Sequence, residues 1–157
     1  MVRIIVSGSR WATPEQHGEL IGAVLLAACH RDAGVLAHGD AKGVDRIAAA
    51  VAGAIPGWQV KPVPARWGEC DLTVPEDRGG CPDWPHRKRR KDGRDYCPRA
   101  GWRRNQRLVE LLPRADLVVA FPDQRGDKSG TGDLIQRARR AGLDPQVHPI
   151  EVVVSRG

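Results

Sequence analysis

No apolar run approaches the ~18 residues that a membrane-spanning helix needs, and Met1 leads straight into the strand-like Val2-Arg3-Ile4-Ile5-Val6. The sequence therefore predicts no transmembrane segment, no secretory signal and no membrane partner, and places the protein in the cytoplasm. Lysine is scarce as well: five of the 25 basic residues are Lys and the other 20 Arg, the bias a GC-rich genome produces without functional demand. Two nucleotide-binding signatures are missing, the dinucleotide fingerprint G-x-G-x-x-G and the P-loop G-x-x-x-x-G-K-[ST]. Their absence disfavours an ordinary dehydrogenase or ATPase. No internal repeat is visible.

What is present suits one soluble domain. A chain of 157 residues buries about 70% of its unfolded surface around a single core. With 41% hydrophobic and 28% charged residues it is too apolar for a disordered segment. Net charge is +6, but it is local. Between His86 and Arg107 ten basic residues face only Asp92 and Asp95, so that segment carries +8 and the remainder −2.

Apolar periodicity alternates between strand and helix. Strands are expected at Arg3–Val6, Gly34–His38, Trp58–Val63, Asp116–Phe121 and Gln146–Val153. The third should lie near a sheet edge, because Pro62 and Pro64 cannot donate to a ladder. A first helix should start at an N-cap Thr13, with Pro14 in its first turn and Gln16 completing a capping box, and run to about Asp32. Its buried stripe is Leu20, Ile21, Val24, Leu25 and Ala28, with Cys29 a core thiol. A small-residue helix follows Gly43, with Val44, Ile47, Ala48 and Val51 on one face; Ala48–Ala52 would suit a homodimer seam. Further helices are expected at Gly101–Leu112 and Thr131–Ala141, with Pro122–Gly130 a loop. Residues 65–98, rich in Cys and Pro and poor in periodicity, read as an irregular insertion. The expected fold class is α/β: a Rossmann-like three-layer sandwich on a mainly parallel five-stranded sheet.

In such folds ligands lie beyond the carboxyl ends of the strands, where strand order reverses. Three loops rich in glycine and small residues fall there: Gly8-Ser9-Arg10, Gly39–Gly43 and Gly126–Gly132. Glycine lets main-chain amides approach an anion, and a following helix N-terminus adds about half a positive charge. Ser7, Ser9, Ser129 and Thr131 could add hydroxyl donors. His38, at a strand end, reads more naturally as a packed, hydrogen-bonded histidine than as a catalyst.

These residues carry a resemblance. Ile4 through Arg10 with Thr13, and His38-Gly39-Asp40-Ala41-Lys42-Gly43-Val44-Asp45, resemble the G-S-R and G-x-A-x-G-x-D motifs of the SLOG superfamily, which unites DprA (SMF) with the LOG-type nucleotide phosphoribohydrolases. Ala100 through Asn105, and Phe121-Pro122 through Gly130-Thr131-Gly132-Asp133, are similar to its YspA-like bacterial and phage branch. The resemblance implies a single domain over 1–157, interrupted by the insertion 65–98, that binds a nucleotide or nucleotide-derived ligand. It implies Gly8, Ser9 and Arg10 as one wall, Gly39, Gly43 and Asp45 as a second, Arg104 and Asn105 facing the ligand, and Gly130 and Thr131 holding phosphate. Asp45 would accept from a ribose hydroxyl or, equally, cap its helix or pair with Arg46 or Lys42. Arg104, Asp133 and Asp45 are the candidates for N-glycosidic hydrolysis. LOG-type enzymes, however, carry Arg-Lys and P-G-G-x-G-T-x-x-E where this chain has Arg104-Asn105 and an Asp133 two residues after Thr131. One helical position is roughly 100° of rotation, which puts that chemistry in doubt.

Within the insertion, Cys70, Cys81, His86 and Cys97, with ten, four and ten intervening residues, have the donors of a structural Cys3His zinc site. Unrelated thiols or a Cys81–Cys97 disulfide are the alternatives. The basic run 86–107, with Trp84, Tyr96 and Trp102 nearby, offers a second functional reading: a DprA-like binder of single-stranded DNA. A solvated basic loop or a lid over the pocket is the other.

Overall fold

The computed structural model describes residues 1–30, 33–111, 115–126 and 129–154. Strands β1 (Val2–Gly8), β2 (Gly34–His38) and β3 (Trp58–Pro62) alternate with helices α1 (Pro14–Ala28) and α2 (Val44–Gly53). The insertion holds a single 3-10 turn at Glu76–Arg78 and a short antiparallel ribbon, β4 (Lys88–Arg89) with β5 (Asp95–Tyr96). The alternation resumes with α3 (Ala100–Leu111), β6 (Leu117–Phe121), α4 (Gly130–Arg140) and β7 (Gln146–Val147). The main sheet is parallel throughout, in the order β3-β2-β1-β6-β7. This is the Rossmann-like three-layer arrangement that the periodicity predicts, with its reversal of strand order between β1 and β6. Among the described residues, no helix is long and apolar enough to cross a membrane.

Both faces of the sheet are covered, which is why Ile4–Val6 at the centre of β1 and the whole of β6 read as unbroken apolar runs. Successive side chains point to opposite faces. Ile4, Val6, Leu36 and Phe121 pack with Ile21 and Leu25 of α1 and Val44 and Ala48 of α2. Ile5, Ala37 and Val118 pack with Leu108 of α3 and Leu134 and Ala138 of α4. Cys29 sits in the first cluster, a core thiol as expected. Burial raises its pKa. β3 is an edge strand, as its prolines predict.

Several expectations need correction. Thr13 does cap α1, its Oγ1 accepting from Gln16 N–H at 3.3 Å, but the Thr13 N–H is satisfied by Nδ1 of His17 at 3.0 Å and not by the Gln16 side chain. Nε2 of His17 therefore carries the proton and donates to the Glu151 carbonyl at 2.7 Å. Leu20 is 44% exposed, and the buried stripe of α1 is His17, Ile21 and Leu25. Within Ala48–Ala52, the stretch offered as a homodimer seam, Ala48 and Ala52 are fully buried in the core while Ala50 is exposed. The last strand ends at Val147, not Val153. Beyond it the chain is pinned by isolated bonds, Ile150 N–H to the Pro122 carbonyl at 2.9 Å and a reciprocal pair between Gln124 and Val152. The first helix ends at Ala28, where Cys29 leaves helical geometry as the C-cap, short of the expected Asp32; the expected end at Leu112, and Asp127 and Lys128 of the third loop, lie outside the described residues.

Candidate functional site: a sheet-edge cluster and a metal-competent insertion

Parallel register brings the carboxyl ends of β2, β1 and β6 side by side, so the three loops meet at one edge. The contacts are direct. Val44 N–H donates to the Ser9 carbonyl at 3.1 Å, joining the first and second loops. Ser9 Oγ donates to Asp123 Oδ2 at 2.5 Å, joining the first to the third. On the other side of the edge, Asn105 Nδ2 donates to the Gly130 carbonyl at 3.0 Å, and Arg104 Nη1 to the Gly39 carbonyl.

The glycines are close-approach positions. A Cβ on Gly8 would lie 2.5 Å from Val44, one on Gly39 would strike the Arg104 guanidinium, and Gly43 (φ +76°) would meet the Ser9 carbonyl at 2.3 Å. Much of the first loop is thereby committed internally. Ser9 is buried with its hydroxyl on Asp123, and Arg10 is exposed and lies over the Trp11 ring. Asp123 escaped the sequence reading altogether. Its carboxylate accepts from Ser9 and from Nε and Nη2 of Arg125. The Arg125 side chain, aided by Ser9 and opposed by burial, holds its pKa down to about 2. Pairing with a Ser 114 residues away leaves no local sequence signal.

The second loop and α3 hold the open chemistry. Asp45, 3% exposed, accepts from the Ala41 N–H through Oδ2 at 3.1 Å, while its buried Oδ1 finds no hydrogen-bond partner among the described residues. Burial pushes its pKa up to about 6 against the pull of the Ala41 amide and of Arg104. Asp45 forms no hydrogen bond or ion pair with Arg46 or Lys42; of the alternatives, the carboxylate caps the turn before its helix, drawing on the Ala41 and Gly39 amides. Arg104 donates Nε to Asn105 Oδ1 at 2.8 Å, and burial lowers its pKa. Asp133 is committed: Oδ2 accepts from Asn105 at 2.9 Å and from Arg137 Nε at 2.9 Å. At the start of α4, Ser129 is the N-cap, its Oγ accepting from Gly132 N–H at 3.1 Å; Gly130 is exposed and Thr131 buried. His38 is the packed histidine expected: Nδ1 accepts from Asp40 N–H at 3.0 Å, and burial lowers its pKa.

The insertion brings Cys70, Cys81, His86 and Cys97 together, with all four ligand atoms within 4.8 Å of one another. Sγ of Cys81 and Cys97 are 3.4 Å apart and unbonded. His86 Nε2 is 3.4 Å from Cys70 Sγ and 3.5 Å from Cys97 Sγ. A tetrahedral zinc, with bonds of about 2.3 Å to sulfur and 2.0 Å to nitrogen, sets edges of about 3.8 Å and 3.5 Å for these pairs. The donors thus stand close to the corners such an ion requires.

Hydrogen bonds from neighbouring groups converge on the donor cluster. His86 Nδ1 donates to the Trp84 carbonyl at 3.1 Å, which leaves the Nε2 lone pair facing the sulfurs. Asp71 N–H reaches Cys81 Sγ at 3.3 Å, Arg87 reaches Cys70 Sγ at 3.4 Å, and Arg103 reaches Cys81 Sγ at 2.9 Å. Burial pushes the Cys81 thiol up. At Cys97 it acts the same way, but hydrogen bonds from Arg103 and Cys81 outweigh it and bring that thiol down to about 6. Arg103 was not singled out as a sulfur partner by sequence; it also donates to the Gly79 and Glu69 carbonyls, tying α3 to the insertion.

Fold and clusters together define a Rossmann-like α/β protein with a metal-competent Cys3His insertion. No family model matches the sequence, and no curated protein matches it. Among solved structures, the X-ray structure of TM1055, a Northeast Structural Genomics Consortium target, is similar over 92% of this chain and 72% of its own, at 16% identity and a TM-score of 0.49. So distant a likeness carries nothing about chemistry.

Proposed function

We propose that this chain is a cytoplasmic SLOG-type module that binds a nucleotide-derived anion at the carboxyl edge of its sheet. The observation that carries the reading is Asp45: a carboxylate buried at the meeting point of the loops, with one oxygen lacking a partner. An unpaired buried acceptor costs free energy that a ligand hydroxyl, such as a ribose diol, would recover. Arg104 would exchange the Gly39 carbonyl for ligand phosphate, and the first turn of α4 at Gly130 and Thr131 would take a second phosphate oxygen. With Ser9 occupied by Asp123, the ligand belongs on the β2 side of the edge. The reading is of binding. Asp133 already serves Asn105 and Arg137, and Asp45, pushed up to about 6 by burial, is the candidate placed for acid–base work near neutral pH.

The donor set of the insertion fits zinc held as a closed structural site by Cys70, Cys81, His86 and Cys97, the metal supplying the fold energy that an apolar core supplies elsewhere. The single-stranded DNA reading draws less support. Arg87, Arg89, Arg99, Arg103, Arg104 and Arg107 all donate hydrogen bonds within the chain, and Arg90 lies over Trp67 and Tyr96.

The test is mass spectrometry of small molecules retained through purification, followed by titration of the retained nucleotide into Asp45→Asn. Loss of the charged acceptor should weaken binding by about tenfold or more. Equal affinity in the variant, or steep salt-dependent binding of oligonucleotide with no retained small molecule, would end the reading.

A further inference from the structure

The three sulfurs of the insertion are not equivalent. Cys81 and Cys97 are buried, whereas Cys70 is exposed. Cys70 also lines a cavity of about 370 Å³ between the insertion and α3, alongside Arg66, Arg103 and Arg107. A small solute can therefore reach this sulfur and neither of the others. Arg87, whose Nη1 lies 3.4 Å from Cys70 Sγ, holds that side chain at the mouth of the cavity. Both buried sulfurs stand within 4.8 Å of it, near enough to close a bond after a modest shift.

We propose that Cys70 is an oxidative modification site and that the metal cluster is a peroxide-responsive latch. This rests on the reading of the cluster as a zinc site. In the first step the Cys70 thiolate attacks a hydroperoxide: an S–O bond forms, the O–O bond breaks, sulfur is oxidised by two electrons, and the departing alkoxide or hydroxide takes a proton from water. In the second step a thiolate of Cys97 or Cys81 attacks the Cys70 sulfenic acid, forming the disulfide and expelling hydroxide, which is protonated to water. The sum is two thiolates, one hydroperoxide and two protons giving one disulfide, one alcohol (or water) and one water. The donor set falls from four to two, too few for a closed site. Arg103, which clamps α3 to the insertion through Cys81 and through Cys97 at 3.6 Å, then loses a sulfur acceptor.

The experiment uses the full-length, zinc-loaded chain. Metal content is measured first: a chain that neither carries nor takes up a stoichiometric metal overturns the zinc reading itself. Loaded protein is then titrated with hydrogen peroxide while a chromogenic chelator reports free zinc and peptide mapping reports disulfides. The expected result is release of one zinc per chain with a disulfide containing Cys70, reversed by dithiol and added zinc, while buried Cys29 stays reduced. Zinc retained through peroxide treatment, or a Cys81–Cys97 disulfide with Cys70 left as a thiol, overturns the latch while leaving the zinc reading standing. A Cys70→Ser chain that still loads metal should release it about tenfold more slowly; an unchanged rate counts against Cys70. Mapping of the unsubstituted chain decides the matter if that variant fails to load.

Discussion

The sheet and the insertion hold themselves together by different means. Around the sheet, Ile4, Ile5, Ile21, Leu25, Leu36, Leu134 and Phe121 are wholly buried, and two apolar clusters carry the layers. The insertion's own cluster is Cys81 and Cys97 with Ala100, flanked by Ala65. Beyond that and the Trp67–Tyr96 ring contact, much of what fastens it is polar: Arg103 on Gly79 and Glu69, Arg137 on the Asp77 carbonyl at 3.0 Å, Arg99 on the Glu76 carbonyl at 3.2 Å. A region that cannot bury enough hydrocarbon needs a different source of order, and convergent metal donors provide one. The general point is that burial stabilises many residues a little, whereas a metal cluster concentrates its stabilisation in four.

The sharpest way to break this contrast is to strip metal from the site proposed for zinc. Structural zinc contributes about 10–16 kcal/mol in small metal domains, so strong chelation should open residues 65–98 to limited proteolysis while far-ultraviolet circular dichroism of the sheet and helices persists. Simultaneous collapse of both would show the two regions to be one cooperative unit. Next in size is the converse, Leu36→Ala, which should cost about 2–5 kcal/mol in denaturant unfolding yet leave zinc stoichiometry unchanged. The smallest effect is electrostatic. Asp45 releases its proton near the ordinary 3.8 when unfolded and at about 6 when folded, so the folded state binds more protons between those values. Stability therefore falls as pH rises from 3.8 to about 6 and stays lower above, by at most about 3 kcal/mol. Asp45→Asn should remove that slope, measured as the difference between variant and parent at pH 4, 5, 6 and 7.5. Parallel curves would mean the carboxylate is better solvated than its burial implies. Asp123 works in the opposite sense: its pKa of about 2 lends stability above pH 3.8 that is lost as pH falls toward 2.

Legibility followed the range over which each feature is decided. The alternation of strand and helix, the edge position of β3 and the Cys/His cluster are written in local periodicity, in proline and in residue type. Their outcomes in the fold match. Ser9 was read as a ligand donor because its partner, Asp123, arrives from a distant strand end. The stretch after Val147 looks like a strand by its Ile150, Val152 and Val153, but Gln124 and His17 capture its carbonyls, and a segment held at single points forms no ladder. The free oxygen of Asp45 follows from crowding around it, a property of the assembled edge and of no single motif.

The sheet's two borders deserve a last word for what they forbid. On one side β3 runs out at Pro62, whose ring offers no N–H; on the other, β7 is two residues long. A neighbouring polypeptide seeking to extend the sheet would meet a missing donor at one margin and a stub at the other. Both margins of this sheet are therefore poor templates for strand addition, so crowding the protein to high concentration should be slow to seed ordered polymers from its folded state.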